Sequence, residues 1–363
     1  MDEYCDNAHS YMHMQKMGAD IKTITSRVRT TKGPGLNEPY SIMGGMEIHR
    51  IFWDFREQAS VPHEKYRQVY DLAENINPDI ILCSQQKNMH LALRLKRDLK
   101  IPIVLLVEFA YDRKNPFRLI GKKHLFKFNM AAALPAKIYW MWLCRHASAI
   151  ITCYHRDQLN FKKLSSFNTP LFYVPWPAAP TNININAVKK NLGRGIYIGA
   201  LTEHKNIQEF TTTLPLILDR TPVKEFLIIG SGMSEDVVYG LKTRYPGRIS
   251  HMPSVPRDKA LELIAGSYFA YTPALYGGWG FFGDCWSMKT PVVATHNDYA
   301  LINGQDSLIC NKESISDTIN QLYNDENLYH KLVEEGYARF CRSHRAEVIG
   351  ERYLEILKSV ILK

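Results

Sequence analysis

Short apolar, β-branched segments alternate with amphipathic helical patterns along almost the whole chain of 363 residues. Typical strand patterns are Ile101 to Val107, Ala149 to Cys153, Glu225 to Ile229 and Pro291 to Thr295. Strands separated by helices through short connections predict parallel sheets with helices on both faces. A domain size of roughly 150 residues predicts two domains. We therefore expect an α/β protein made of two doubly wound, Rossmann-like domains that face a cleft.

The segment 175–186, PWPAAPTNININ, is the best linker candidate because it is rich in proline and asparagine. It predicts an N-terminal domain over 1–180 and a C-terminal domain over 181–345, with a final helix, 346–363, that packs back on the N-terminal domain. Doubly wound domains usually begin with a strand, whereas residues 3–18 predict a helix. Either the first strand of this domain is missing or its sheet is built differently. Ligands bind such sheets at the carboxyl ends of the strands, which places the expected site in the cleft.

The net charge of +9 belongs to the N-terminal half. Residues 1–180 contain 25 Lys and Arg against 16 Asp and Glu, and the remaining residues contain 20 of each. We therefore expect an acidic partner to meet this half. No apolar stretch is long enough to span a membrane, and neither a signal peptide nor a CxxC pair is present. These features predict a cytoplasmic, metal-free protein.

The segment from Arg113 to Arg145 contains eight Lys and Arg residues, no acidic residue and several aromatic residues. Three interpretations stay open. The aromatic side chains can fill the core beneath a solvated helix, or they can lie at headgroup depth where a basic helix contacts an anionic membrane surface. They can also stack on nucleic-acid bases, although this partner is the less favoured one.

Two turns in the C-terminal half are candidate ligand sites. The strand that ends at Ile198 is followed by a tight turn from Gly199, with Lys205 at the entrance of a helix, which favours a phosphate. A solvated lysine is the alternative. The glycines of Gly230-Ser231-Gly232 either let the backbone approach a ligand or simply make a turn. Without a GxGxxG pattern, a nicotinamide site is disfavoured.

The densest glycine cluster in the chain covers 277–283, where four of seven residues are glycine. Placed before a helix, such a loop can direct several backbone amides at an anion. Asp284 follows at the expected start of that helix. Its carboxylate can cap the helix or accept hydrogen bonds from sugar hydroxyls.

Taken in order, the segments Gly199 to Asn206, Gly230 to Gly232 and Gly277 to Thr295 resemble the C-terminal domain of family 4 glycosyltransferases, which have the GT-B fold. ASAIITCYHRDQL is similar to the last strand and helix of the family's N-terminal domain, and LFYVPWPAAPT to its interdomain passage. The resemblance covers essentially the whole chain.

The resemblance implies retaining transfer of a sugar from a nucleotide-diphosphate sugar, without a required metal or other cofactor. Lys205 would neutralise the diphosphate, Asp284 would bind the ribose hydroxyls and Val255 would pack on the base. The other donor-binding residues that it implies are Gly199, Gly230, Gly277, Gly278, Trp279, Gly280 and Phe281. The acceptor, whether a glycan, a lipid-linked molecule or another compound, stays open.

Several positions depart from the family's pattern. Ala200 stands in place of the diphosphate-binding Arg, and Tyr276 or Gly277 stands where the family has its first Glu. Asp284 replaces the second Glu with a shorter carboxylate. Losing one charge-assisted contact costs about 1.5–3 kcal/mol, so several losses can weaken or abolish activity.

Glu108 ends the strand IPIVLLV where the family often has a His. It can orient hydroxyl groups as a catalytic residue, or pair with Arg113 or Lys114. His204 and Arg257 are candidate replacements for the lost contacts. Two other functions remain open beside the glycosyltransferase. One is a GT-B-shaped binding subunit without catalysis, and the other is a glycosyltransferase that modifies DNA.

Overall fold

A computed structural model describes residues 6–27, 38–84, 88–107, 141–142, 144–153, 169–274, 279–297 and 300–362. These residues form two compact units. One contains the described residues of Met1–Ala179 together with those of Ala346–Lys363, and the other contains those of Pro180–Arg345. Within the described ranges, no helix combines the length and the apolar character needed to cross a membrane.

The helices, in chain order, are α1 (Asp6–Lys16), α2 (Phe55–Ser60), α3 (His63–Ile76), α4 (Met89–Leu99), α5 (Phe210–Arg220), α6 (Glu235–Arg244), α7 (Arg257–Ala265), α8 (Trp279–Ser287), α9 (Ile315–Asn324), α10 (Glu326–Ser343) and α11 (Ala346–Ile361). The strands are β1 (Lys22–Ser26), β2 (Tyr40–Met43), β3 (Met46–Phe52), β4 (Ile81–Ser84), β5 (Ile103–Val107), β6 (Ala149–Thr152), β7 (Leu171–Tyr173), β8 (Asn191–Ile198), β9 (Glu225–Ile229), β10 (Ile249–Met252), β11 (Ser267–Thr272), β12 (Val292–Ala294) and β13 (Leu308–Ile309).

The first unit contains two sheets, with strand orders β1-β3-β2 and β4-β5-β6-β7. All pairs of the second sheet are parallel, whereas β2 and β3 form an antiparallel hairpin. Apolar side chains of both sheets share one core cluster with α1 and α11, and a second cluster with α3 and α4. β5 lies wholly in the interior, since all five of its residues are buried.

Helix α11 packs against α1, so the last helix of the chain lies in the unit that contains the first described residues. The two helices approach closely at Gly350, where a Cβ atom would lie 2.6 Å from the carbonyl oxygen of Ser10. The buried hydroxyl of Tyr353 donates to the side chain of Asn7 over 3.3 Å. This packing buries the apolar face of α11, including Ile349 and Tyr353.

The second unit is built on one six-stranded sheet with the order β10-β9-β8-β11-β12-β13. Every strand pair in it is parallel. α5, α6 and α9 cover one face through a large aromatic and aliphatic cluster that includes Tyr197, Phe226, Phe269 and Tyr271. α7 packs against β8 and β11, and α8 against β12. The predicted doubly wound α/β class is therefore confirmed.

Candidate functional site

The strand order of the second unit defines where a ligand is expected. From β8 the chain moves to β9 and β10 on one side, and then crosses to β11, β12 and β13 on the other. The switch point lies between β8 and β11, which are direct neighbours. In open parallel sheets, loops that leave the carboxyl ends of strands at this point diverge and form a crevice for ligands. The loops after β8 and β11 are therefore the candidate site.

The loop after β8 contains the predicted diphosphate-binding lysine. A single turn of 3-10 helix, Glu203–Lys205, is followed by Asn206 in the left-handed conformation (φ 55°) and by a second 3-10 turn that leads into α5. Lys205 is half-buried, and desolvation lowers the pKa of its ammonium to about 8. A partly desolvated ammonium group gains more from an approaching anion than one in bulk water. The structure thus places a partly desolvated ammonium group beside the switch point.

The glycines after β9 have a packing reason. Gly230 and Gly232 both have positive φ, 152° and 155°. A Cβ at Gly230 would lie 1.9 Å from the carbonyl oxygen of Gly199, and one at Gly232 would lie 2.3 Å from that of Leu201. Two backbone segments therefore run in direct contact here, and Leu201 N donates to Ser231 O over 3.0 Å. This contact holds the loop after β8 against the turn that follows β9.

Helix α8 begins five residues earlier than the sequence suggested. It starts at Trp279, so Gly280 and Phe281 lie in its first turn and not in a loop. Asp284 is consequently the sixth residue of the helix, and the interpretation as its N-terminal cap is wrong. The ring of Phe281 lies 6.1 Å from that of Tyr197 on β8, which ties the start of α8 to the switch point.

Asp284 instead forms an ion pair with Arg257, the first residue of α7. The two guanidinium nitrogens of Arg257 donate to the two carboxylate oxygens of Asp284 over 2.7 Å (Nη2 to Oδ1) and 3.3 Å (Nη1 to Oδ2). The Asp284 side chain is 18% exposed and that of Arg257 is 28% exposed. A paired, fork-to-fork arrangement of this kind orients a carboxylate as well as neutralising it. Sequence reasoning named both residues but did not connect them.

A second polar cluster was missed by the sequence analysis. Glu209, in the turn before α5, accepts from the side chain of Asn206 over 2.6 Å and from the hydroxyl of Thr295. Nε2 of His296 lies 3.2 Å from Oε2, the oxygen that also accepts from Asn206, and the hydroxyl of Tyr271 donates over 3.4 Å to Oε1, which also accepts from Thr295. Burial raises the pKa of Glu209, but hydrogen bonds from His296, Thr295 and Asn206 outweigh it and leave the pKa below the ordinary value. The cluster ties the Lys205–Asn206 turn to the ends of β11 and β12.

The remaining predicted residues are distributed as follows. Val255 is half-buried in the loop between β10 and α7, two residues before Arg257. Glu108, Gly277, Gly278, and all but a few residues of the basic segment Arg113 to Arg145 lie outside the described residues, as does the side chain of Trp279. In the part of the chain that the structure does describe, no three His, Cys, Asp or Glu side chains are grouped to hold a metal ion.

Known structures resemble this one over nearly its full length. A sucrose-phosphate synthase from Thermosynechococcus elongatus covers 97% of this chain and 92% of its own, with a TM-score of 0.76 at 11% identity. An α,α-trehalose 6-phosphate synthase from Burkholderia multivorans covers 94% and 89%, with a TM-score of 0.68 at 11% identity. HepE from Anabaena, solved in complex with UDP-glucose, covers 87% of each chain, with a TM-score of 0.61 at 15% identity.

These likenesses confirm the GT-B type of fold that the sequence predicted. No family model and no curated protein sequence matches the chain. HepE was solved with a nucleotide sugar, and the identity of all three proteins to this chain is low enough that they show the fold alone. Membership in family 4 stays a prediction.

Proposed function

We propose that this protein is a glycosyltransferase that takes its sugar from a nucleotide-diphosphate sugar. The observation that carries the proposal is the desolvated Lys205, whose pKa is lowered to about 8, beside the switch point of a parallel sheet. A cation in this position suits the diphosphate of the donor and stabilises the nucleoside diphosphate as it leaves. The fold supports the same assignment, because HepE of Anabaena was solved with UDP-glucose.

In this proposal the unit Pro180–Arg345 binds the donor and the first unit binds the acceptor. Lys205 holds the diphosphate, Asp284 accepts from the ribose hydroxyls and Val255 packs on the base, while Gly199, Gly230 and the segment 277–281 line the site. Glu108 orients acceptor or sugar hydroxyls as a catalytic residue. Transfer proceeds with retention and without a metal, as the family resemblance implies.

We also propose that the first unit, which binds the acceptor, contacts an acidic partner. The excess positive charge of +9 lies wholly in residues 1–180, whereas the rest of the chain is neutral. An anionic membrane surface that holds a lipid-linked acceptor suits this charge, with the protein bound peripherally on the cytoplasmic side. If the acceptor is DNA instead, duplex DNA will be retarded in a gel shift that weakens steeply with salt.

The test is calorimetric titration of the full chain with UDP, GDP and UDP-glucose, combined with release of UDP from UDP-glucose. Replacing Lys205 by Ala should weaken UDP binding about tenfold to a hundredfold, since it removes one charge-assisted contact to phosphate. Lys242→Ala is the matched control, because this exposed lysine lies in the last turn of α6.

Binding of UDP by Lys205→Ala with unchanged affinity would remove Lys205 from the donor site. If the unaltered protein binds neither UDP nor GDP, the proposal fails and a binding subunit without catalysis takes its place. Such a subunit is consistent with Ala200, which leaves one cation of the family's diphosphate site unreplaced.

A further inference from the structure

Glu209 connects three segments at the carboxyl edge of the sheet in the second unit. It lies in the turn before α5, in the loop that follows β8. Its Oε1 accepts from the hydroxyl of Tyr271 on β11 over 3.4 Å and from the hydroxyl of Thr295, which directly follows β12. β8 lies on one side of the switch point, and β11 and β12 lie on the other. One side chain therefore joins the loop after β8 to the two strands across that point.

The other carboxylate oxygen of Glu209 holds the turn that contains Lys205. Oε2 accepts from Nδ2 of Asn206 over 2.6 Å, and Nε2 of His296 lies 3.2 Å from the same oxygen. The backbone N–H of Glu209 donates to the carbonyl oxygen of Asn206 over 2.9 Å. Asn206 has the left-handed conformation (φ 55°), which changes the direction of the chain directly after Lys205. Glu209 thus fixes Asn206 through both its side chain and its backbone.

A carboxylate is an unfavourable residue for packing alone at this position. The Glu209 side chain is 13% exposed, and withdrawing a carboxylate from water is costly unless its oxygens accept hydrogen bonds. Burial raises the pKa of Glu209, yet its polar neighbours keep the pKa below the ordinary value, so the group is charged at pH 7. An apolar side chain could hold the loop against the sheet without this cost. What a carboxylate with two polar neighbours on each oxygen adds is a single defined geometry for the turn.

We infer that Glu209 is a positioning residue of the donor site, which holds Lys205 in place for the diphosphate through the conformation of Asn206. This inference rests on the proposed function, because it takes Lys205 to bind the diphosphate of the donor. Desolvation lowers the pKa of Lys205, whereas a carboxylate in contact with the ammonium group would raise it. Glu209 therefore acts on the backbone of the turn and not as a counter-ion of Lys205.

The test is a double-mutant cycle between Glu209 and Lys205. The full chain is titrated calorimetrically with whichever of UDP and GDP binds more tightly. Glu209→Gln keeps the size of the side chain but replaces one acceptor oxygen by a donor, so one side of the carboxylate loses its contacts. It should weaken nucleotide binding about threefold to tenfold. Combined with Lys205→Ala, the same substitution should cause no further loss, because its effect passes through Lys205.

Two more variants keep the test sharp. Glu209→Asp retains both oxygens on a shorter side chain, and its affinity should lie between those of the unaltered protein and Glu209→Gln. Thr295→Val removes one hydrogen bond to Glu209 at nearly constant volume, and it carries the same cycle if Glu209→Gln does not fold. Circular dichroism of each variant verifies folding.

The matched control is Glu225→Gln. Glu225 also accepts from an asparagine and from a basic residue, since Asn191 donates to it over 2.8 Å and Arg194 over 2.6 Å. It is the first residue of β9, however, and lies at the amino edge of the same sheet. Its replacement should leave nucleotide affinity unchanged, with or without Lys205.

Three results would overturn the inference. Glu209→Gln could bind the nucleotide with unchanged affinity, or it could weaken binding by the same factor with and without Lys205, which would show an effect independent of the lysine. Glu209→Asp could also bind more weakly than Glu209→Gln, which would show that the carboxylate is not what holds the turn. None of these results touches the proposed function, because the unaltered protein would still bind the nucleotide. Absence of nucleotide binding by the unaltered protein would instead refute the proposed function, and the inference with it.

Discussion

The lowered pKa of Lys205 predicts that donor binding depends on pH in a range where an ordinary lysine would show no change. Desolvation lowers this pKa from 10.5 to about 8. The charged form, which the proposed function requires for binding of the diphosphate, is therefore lost as pH rises through about 8. The protonated fraction is about 0.9 at pH 7 and about 0.1 at pH 9, and the apparent affinity scales with that fraction. We expect UDP to bind up to about tenfold more weakly at pH 9 than at pH 7.

Calorimetric titration with UDP between pH 7 and pH 9 measures this effect. Titration with uridine, which has the same base and no phosphate, controls for ionisation of the base. Lys205→Arg should bind UDP at both pH values without the loss, because a guanidinium stays charged throughout. An affinity for UDP that is flat across this range, or a loss that persists in Lys205→Arg, would show that Lys205 does not titrate at the donor site.

Two further predictions concern the supports of the site. Gly230→Ala should lower the free energy of unfolding by ~3 kcal/mol, since its Cβ would meet the backbone oxygen of Gly199 at 1.9 Å in a strained backbone conformation. The control is Gly240→Ala in α6, where a Cβ atom would meet open space, and it should raise the free energy of unfolding by about 0.5–1 kcal/mol. Urea denaturation measures both variants, and equal effects would contradict the backbone contact at Gly230. Glu209→Gln should lower the free energy of unfolding by about 1–3 kcal/mol at pH 7, because it weakens the hydrogen bonds that the carboxylate accepts. Because the pKa of Glu209 is lowered from 4.5, the difference in thermal stability should shrink as pH falls below that value, and a constant difference would refute the reasoning.

The sequence predicted where the turns of the candidate site lie, but it did not predict what their glycines contact. For Gly230 and Gly232 the sequence left open a close approach to a ligand or a simple turn, and the structure shows that they approach the backbone of the loop after β8. The glycine cluster over 277–283 predicted a loop, whereas α8 incorporates its last five residues, from Trp279 onwards. Glycine disfavours a helix by only about 1 kcal/mol, so packing of apolar neighbours such as Phe282, which is 1% exposed, outweighs it.

The sequence pattern alone predicted the alternation of strands and helices and the parallel sheets, and the resemblance to a known family predicted the GT-B type of fold. Hydrophobic periodicity is a local property, and it reports which face of each element is buried. Only the tertiary structure could decide which polar groups meet. Arg257 and Asp284 are 27 residues apart, and Glu209 meets Thr295 across 86 residues. Such contacts depend on which loops the strand order brings together at the carboxyl edge of the sheet, and no short segment of the sequence contains that information.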